Sequence, residues 1–329
     1  MNEIAAIDGI AIPTAAMIAA ARVELAPWVA TTPVFARAGI AAGPDGATLA
    51  FKFELLQNAG TFKARGAFAN ILTLDEAQKA RGVTAISAGN HAIAVAYAAQ
   101  KLGVPAKVVM LASANPARLA LARACGAEVL LAPDGASGFA MVAELQKTEG
   151  RFFVHPFNGL RTILGTATLG AEWAEQSGAL DAVVLPIGGG GLAAGVATAF
   201  RLAMPGIEIY GVEPEGASGM AQSFATGGPV KMGAMSSIAD SLCAPHTEAY
   251  SYGLCRRAID GLVTVGDDAL RAAMHVLFEE LKLAVEPACA AATAAVCGPL
   301  RARLAGKRVG VLLCGSNTDM ATFARHMAA

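Results

Sequence analysis

Charge is scarce in this sequence, and the little present does not cluster. Only 16% of the 329 residues are charged, with a formal net charge of -1. A nucleic-acid binder presents a basic patch, and none is visible here. "RLALARACG" (118–126) carries only two arginines and reads as one side of a helix. No run of about 18 uncharged apolar residues appears, which argues against a membrane span. The opening stretch "MNEIAAIDGIAIPTAAMIAAAR" is broken by Glu3, Asp8 and Pro13 and has no basic start, so no signal peptide is expected. The six cysteines (125, 243, 255, 289, 297, 314) include no CxxC pair. That excludes a zinc-knuckle pattern, does not suggest a disulfide framework, and points to reduced thiols in a cytoplasm. Repeats, low-complexity tracts and Pro/Ser-rich linkers are also missing.

What remains is apolar and small-residue rich. Hydrophobic residues reach 55%, much of it alanine beside 36 glycines, a composition suited to close helix–sheet packing. The length suggests two domains. The pattern alternates between strand and helix. Strands are predicted at 84–87, 106–111, 127–132 and 151–157, and helices at 90–103, 115–126 and 138–150. Asn115 is a candidate N-cap with Pro116 at the first helical position. Alternation resumes with a helix at 164–178, strands at 181–187 and 207–214 and a helix opening from the glycines at 188–204. Two helices broken near Pro287 follow within 267–298, then a strand at 307–315. Such runs demand parallel sheets with helices on their faces. Two runs predict two sheets. Segment 215–250 reads as connecting loops.

Five stretches carry candidate chemistry. In "PIGGGGLAAG" (186–195), four glycines sit between a buried strand and a helix, where outward N–H groups favour phosphate. Gly188, Gly190 and Ala193 also satisfy GxGxxA, and Glu213 ends the next strand as a possible ribose ligand. A dinucleotide-dependent oxidoreductase, or a nucleotide sensor, is therefore a rival reading. "SAGNHAIA" (87–94) is a second strand-to-helix turn; alone it reads as an N-cap at Ser87 or Asn90 with an incidental His91. "LLCGSNTD" (312–319) ends a strand at Cys314, and "AVEPACAA" (284–291) places Glu286 inside an apolar run. "GTFKARGA" (60–67) puts Lys63 among small residues, and the dinucleotide reading leaves it without a task.

Taken in order, "GTFKARGA", "SAGNHA", "PIGGGGLAAG", "GVEPEGA", "IADSL", "VEPA" and "LLCGSNTD" resemble the fold-type II pyridoxal-phosphate enzymes, in the threonine/serine dehydratase branch that also contains serine racemase. The resemblance runs from Thr32 to Asp319. It implies a two-domain α/β fold of the tryptophan synthase β type, with open, twisted parallel sheets flanked by helices. A large cofactor domain would span 1–75 and 160–329, and a small α/β domain 76–159. It further implies that Lys63 is the Schiff-base lysine and general base, with Phe62 against the pyridine ring. Gly188, Gly189, Gly190, Gly191 and Leu192 would bind the phosphate, and Asn90 the 3-hydroxyl. Glu286 lies in the cofactor site, and Cys314 faces the pyridine nitrogen. Ser87, Ala88, Gly89, Asn90 and His91 would form the substrate-carboxylate loop.

A neutral thiol at Cys314 leaves that nitrogen largely unprotonated, which favours expelling a β-leaving group. The implied reaction is β-elimination on L-threonine or L-serine, giving 2-oxobutanoate or pyruvate and ammonia. A larger hydroxy amino acid, such as a phenylserine or hydroxyaspartate, is the alternative. Departures from the family pattern matter. Ala88 stands where racemases place a serine, so efficient racemisation is not expected. Glu213 and Ala217 match a divalent-metal site whose second carboxylate falls at Gly219, so no metal is expected there. Ser241 replaces the usual glycine after Asp240, and Thr61 a commoner serine. The chain ends soon after "LLCGSNTD", so no C-terminal regulatory domain and no isoleucine feedback through one is expected. The family implies a homodimer or homotetramer, with a small amino acid as substrate and neither nucleic acid nor membrane as partner.

Overall fold

The computed structural model describes residues 6–329. Residues 1–5, part of the stretch read as carrying no signal peptide, lie outside the described residues. Two separate parallel sheets are present, as the two alternating runs require. The smaller has the order Glu128–Ala132, Ala106–Leu111, Val83–Ser87, Phe152–Phe153, all parallel. The larger has six strands, ordered Gly261–Val265, Glu208–Pro214, Ala182–Pro186, Arg308–Leu312, Thr48–Lys52, Val34–Ala38. Its pairings are parallel except at the edge, where Val34–Ala38 runs antiparallel to Thr48–Lys52. A short antiparallel pair, Ala6–Ile7 with Ile10–Ala11, precedes them.

The central strands are near-continuous apolar runs because helices cover both faces. Val183, Val184, Leu185, Val311 and Phe51 are fully buried. Small residues let the covering helices come close. A Cβ on Gly195 would lie 2.0 Å from Thr166 Oγ1, so helices Leu160–Ser177 and Gly191–Ala203 pack almost backbone to backbone. Helix Lys63–Ile71 bridges the two sheets: Phe68 and Ile71 share a core with Val83, Ala92 and Val95 of the smaller one. No helix among the described residues is long and apolar enough to cross a membrane.

Several expectations need correction. Segment 215–250 is not all loop. It contains helix Gly219–Thr226 and enters helix Ala249–Ala258, whose glycine, serine and polar residues hid the period. The predicted strand 151–157 shrinks to Phe152–Phe153, because the chain turns away at Pro156. Neither Ser87 nor Asn90 caps the following helix. The cap is Gly89, and the Ser87 hydroxyl accepts only the Gly89 N–H at 2.9 Å. Asn115 and Pro116 do cap and open helix Pro116–Ala124.

Candidate active site

The carboxyl ends of the parallel strands of both sheets face one cavity of about 660 Å³, the usual position for a site in open α/β folds. On its large-sheet side lies the glycine turn. Gly190 adopts φ +91°, which opens helix Gly191–Ala203 with a sharp reversal. The turn's carbonyls point away from the cavity: Gly189 O accepts from Ser251 Oγ (3.0 Å), Gly190 O from Cys255 Sγ (3.6 Å) and Gly191 O from Thr166 Oγ1 (2.8 Å). With the carbonyls tied down, the first helical N–H groups, which lack intrahelical acceptors, face the cavity. A Cβ on Gly189 would fall 2.3 Å from the Phe157 ring, so only glycine fits there. This cradle fits a phosphate.

Lys63 enters from the opposite wall. Phe62 N–H donates to Cys314 O at 3.1 Å and Ser316 N–H to Gly60 O at 3.0 Å, so the backbones around Lys63 and Cys314 are locked together. Burial lowers the Lys63 ammonium to about 8, with Cys314 opposing. Lys63 Nζ donates to Pro156 O and sits 5.0 Å from the Phe62 ring centroid. Beneath it, Arg65 is fully buried and bound by Glu54 (2.6 Å) and Glu172 (2.9 Å), while Lys52 Nζ bonds Glu172 and Thr32 O. The sequence reading missed this network. Lys52, Glu54 and Glu172 occupy apolar contexts that give no motif.

A lysine half neutral near pH 8 is nucleophilic where an ordinary lysine is more than 99% charged. Attack by Lys63 on an aldehyde is therefore expected to accelerate as pH rises toward about 8 and then level off. Stopped-flow absorbance on the apoprotein checks this, and acceleration continuing to pH 10.5 would contradict it.

The third wall is a hydrogen-bonded chain. Asn90 Nδ2 donates to Glu286 Oε1 (2.6 Å) and to Ser241 Oγ (3.3 Å), and Asn90 Oδ1 accepts from Asn317 Nδ2 (2.8 Å). The Ser241 substitution thus adds a hydroxyl beside Asn90. Arg118 reaches across from the smaller sheet's helices. It donates to Glu286 Oε2 (3.0 Å), Asp240 Oδ2 (2.6 Å) and Asn317 O (2.8 Å). Burial raises the Glu286 carboxyl, with Arg118 opposing. Arg118 was read only as part of a helix face. Its signal was position: it shares the buried stripe of its helix with Ala122, four residues on, where a charge needs a partner.

The Cys314 thiol is pushed well above its ordinary range, first by its hydrogen bond with Cys289 and then by burial. It is a neutral thiol. His91 is held neutral, driven down to about 3 by burial and then by the Lys63 charge. Its Nε2 meets Val154 O at 2.8 Å, and its Nδ1 has no partner. Ser87, Ala88 and Gly89 line the cavity beside these residues. Lys63, Phe62, Gly188–Leu192, Ser87–His91, Glu286 and Cys314 thus all border one space.

Glu213 stands apart. Both its oxygens accept backbone N–H groups, from Met220 and Ala221 at 2.7 Å each, so it closes the start of helix Gly219–Thr226. Burial lifts its carboxyl to about 7. The side chain is fully buried and is not part of the cavity's lining. His155, His246 and Glu248 place ligand atoms within 4.8 Å of one another. Yet His155 Nδ1 accepts the Asn158 N–H at 3.0 Å and the Phe157 N–H at 3.3 Å, so its proton resides on Nε2, which cannot then ligate a metal.

The family model for pyridoxal-phosphate dependent enzymes matches residues 25–315. A phenylserine dehydratase from Ralstonia pickettii is 64% identical over 98% of this chain and 98% of its own length. An L-threo-3-hydroxyaspartate ammonia-lyase from Saccharomyces cerevisiae is 36% identical over 85% of this chain and 86% of its own. Among solved structures, maize serine racemase superposes with a TM-score of 0.90 at 34% identity, covering 96% of this chain and 97% of that one.

Proposed function

This chain belongs to the pyridoxal-phosphate dependent enzyme family, and from that premise we propose that its substrate is a β-hydroxy amino acid with an aryl side chain. It is a pyridoxal-phosphate lyase that converts a β-hydroxy amino acid to a 2-oxo acid and ammonia. The observation that carries the finer reading is the cavity's chemistry. Its lining includes one cationic side chain, Lys63, a neutral His91, and an apolar end built from Phe139, Pro156, Phe157 and Pro245. The likeness to a phenylserine dehydratase points the same way. L-phenylserine would give phenylpyruvate and ammonia, with water lost and then regained.

When bound, the cofactor supplies an electron sink that acidifies the substrate's Cα proton. Lys63, neutral in an appreciable fraction at pH 8, takes that proton at Nζ. The N–H groups of Gly188 to Leu192 would hold the phosphate, and those of Ser87 to His91 the substrate carboxylate. Asn90, Glu286 and Arg118 form a fixed hydrogen-bonded edge, and Phe62 backs the ring. Cys314 presents a neutral thiol where a carboxylate would hold a proton. Ala88 carries no group that could deliver a proton to the substrate, which would disfavour racemisation and leave elimination as the outlet. The proposed division into a small domain at 76–159 and a large one at 1–75 and 160–329 is supported by the smaller sheet lying wholly within 83–153.

The test is 2-oxo acid release from L-threo-phenylserine, L-threonine, L-serine and L-threo-3-hydroxyaspartate. We expect kcat/KM for phenylserine to exceed that for threonine by about a hundredfold, roughly the gain from burying one aromatic ring. Threonine or hydroxyaspartate outrunning phenylserine would overturn the aryl assignment and leave the lyase intact.

A further inference from the structure

Five aromatic rings close a circuit at the apolar end of the cavity. Phe139 lies 6.3 Å from Phe153, Phe153 5.3 Å from His155, His155 4.7 Å from Phe157, Phe157 5.5 Å from His246, and His246 5.5 Å from Phe139. Interplanar angles run from 55° to 89°, so the contacts are tilted or edge-to-face. The rings come from four places: helix Gly135–Glu149, strand Phe152–Phe153, the turn after it, and the 244–248 segment of the large-sheet side. Phe139 and Phe157 border the cavity, beside Ala136, Pro156, Ala244 and Pro245.

We propose that Phe139 and Phe157, backed by His155 and His246, form a subsite that selects the aryl ring of the substrate. The proposal rests on the lyase reading above and names the residues that set its specificity. A ring entering there finds the edge-to-face partners that aromatic groups favour at 4.5–7 Å between centroids. The two imidazoles behave as aromatic walls. His155 is kept neutral by burial, and its Nδ1 is occupied by two backbone N–H groups. His246 Nε2 lies 3.0 Å from Glu248 Oε1, and His155 Nε2 3.9 Å from the same oxygen. That carboxylate places negative charge behind the rings. A substrate with a second carboxylate, such as hydroxyaspartate, would meet the Glu248 carboxylate behind these rings.

The test compares the wild type with Phe139→Ala and Phe139→Tyr, because Phe139 is half-buried and outside the glycine cradle. Two readouts are taken. One is the ratio of kcat/KM for phenylserine to that for threonine. The other is the dissociation constant, from the holoenzyme's absorption change, of phenylalanine against alanine, neither of which has a β-hydroxyl to lose. Phe139→Ala is expected to lower the ratio about tenfold and to weaken phenylalanine about tenfold more than alanine. Phe139→Tyr is expected to keep both within about threefold. A wild type without phenylserine preference would overturn the aryl reading itself. A wild type with that preference, but with Phe139→Ala lowering both substrates and both ligands alike, would place the subsite elsewhere and overturn this proposal alone.

Discussion

Replacing Lys63 with alanine is expected to reduce 2-oxo acid release by about 10⁴-fold or more, while the protein stays folded. The residue combines two tasks that no neighbour can take over. In the proposed reading it would be the nucleophile that attaches the cofactor and also the base at the Cα proton, a role contributing about 10²–10⁴ on its own. Among the groups bordering the cavity, His91 is held neutral near 3 and is too weak a base, and Cys314 is a thiol pushed far from ionising. Lys63→Arg is expected to be equally inactive. A guanidinium keeps its charge at any working pH and cannot act as an amine base. Absorption spectra should show the visible band of the covalent cofactor link absent in both variants. Circular dichroism should match the wild type. Residual turnover within tenfold of wild type in Lys63→Ala would remove Lys63 from the chemistry.

Arg65→Met is expected to cost about 3–5 kcal/mol of stability, the range for removing one partner of a buried ion pair. Arg65 is bound by Glu54 and Glu172, and the side chains of Glu54, Arg65 and Lys52 are essentially excluded from solvent. Without the guanidinium, Glu54 keeps only neutral partners, Thr32 and Gln57. Glu172 retains Lys52. The damage should therefore concentrate on Glu54, and adding Glu54→Met to Arg65→Met is expected to recover part of the loss. Urea unfolding with an unchanged slope measures both. A loss below about 1 kcal/mol in the single variant would mean the network is hydrated. Because Arg65 lies two residues from Lys63 on one helix, the same variant is also expected to slow turnover.

Much of the site was legible before any coordinates. Glycines between a buried strand and a helix have few uses, so 188–191 stood out as a candidate anion site. Lys63 stood out because its neighbours are small, Glu286 because it interrupts an apolar run, and Cys314 because it ends a buried strand before Gly, Ser and Asn. Arg118 and Phe139 were not legible. One looks like any helical arginine, and the other like any helix-face phenylalanine. Each gains meaning only from partners more than a hundred residues away, in Asp240, Glu286 and His246. Helix Gly219–Thr226 was missed for a related reason: its start is fixed by the Glu213 carboxylate, not by a capping residue of its own.

The sequence by itself determined the α/β alternation, the two sheets, the glycine turn between strand and helix and the lysine set among small residues, because each is set by periodicity or by residue types within a few positions. Only the tertiary structure decided how acidic Lys63 is, what neutralises Arg65, which groups hold Asn90 and Glu286, and which rings line the apolar end of the cavity. Burial and long-range pairing control those properties. They depend on which distant segments the fold brings to the same few ångströms, and local sequence carries no record of that.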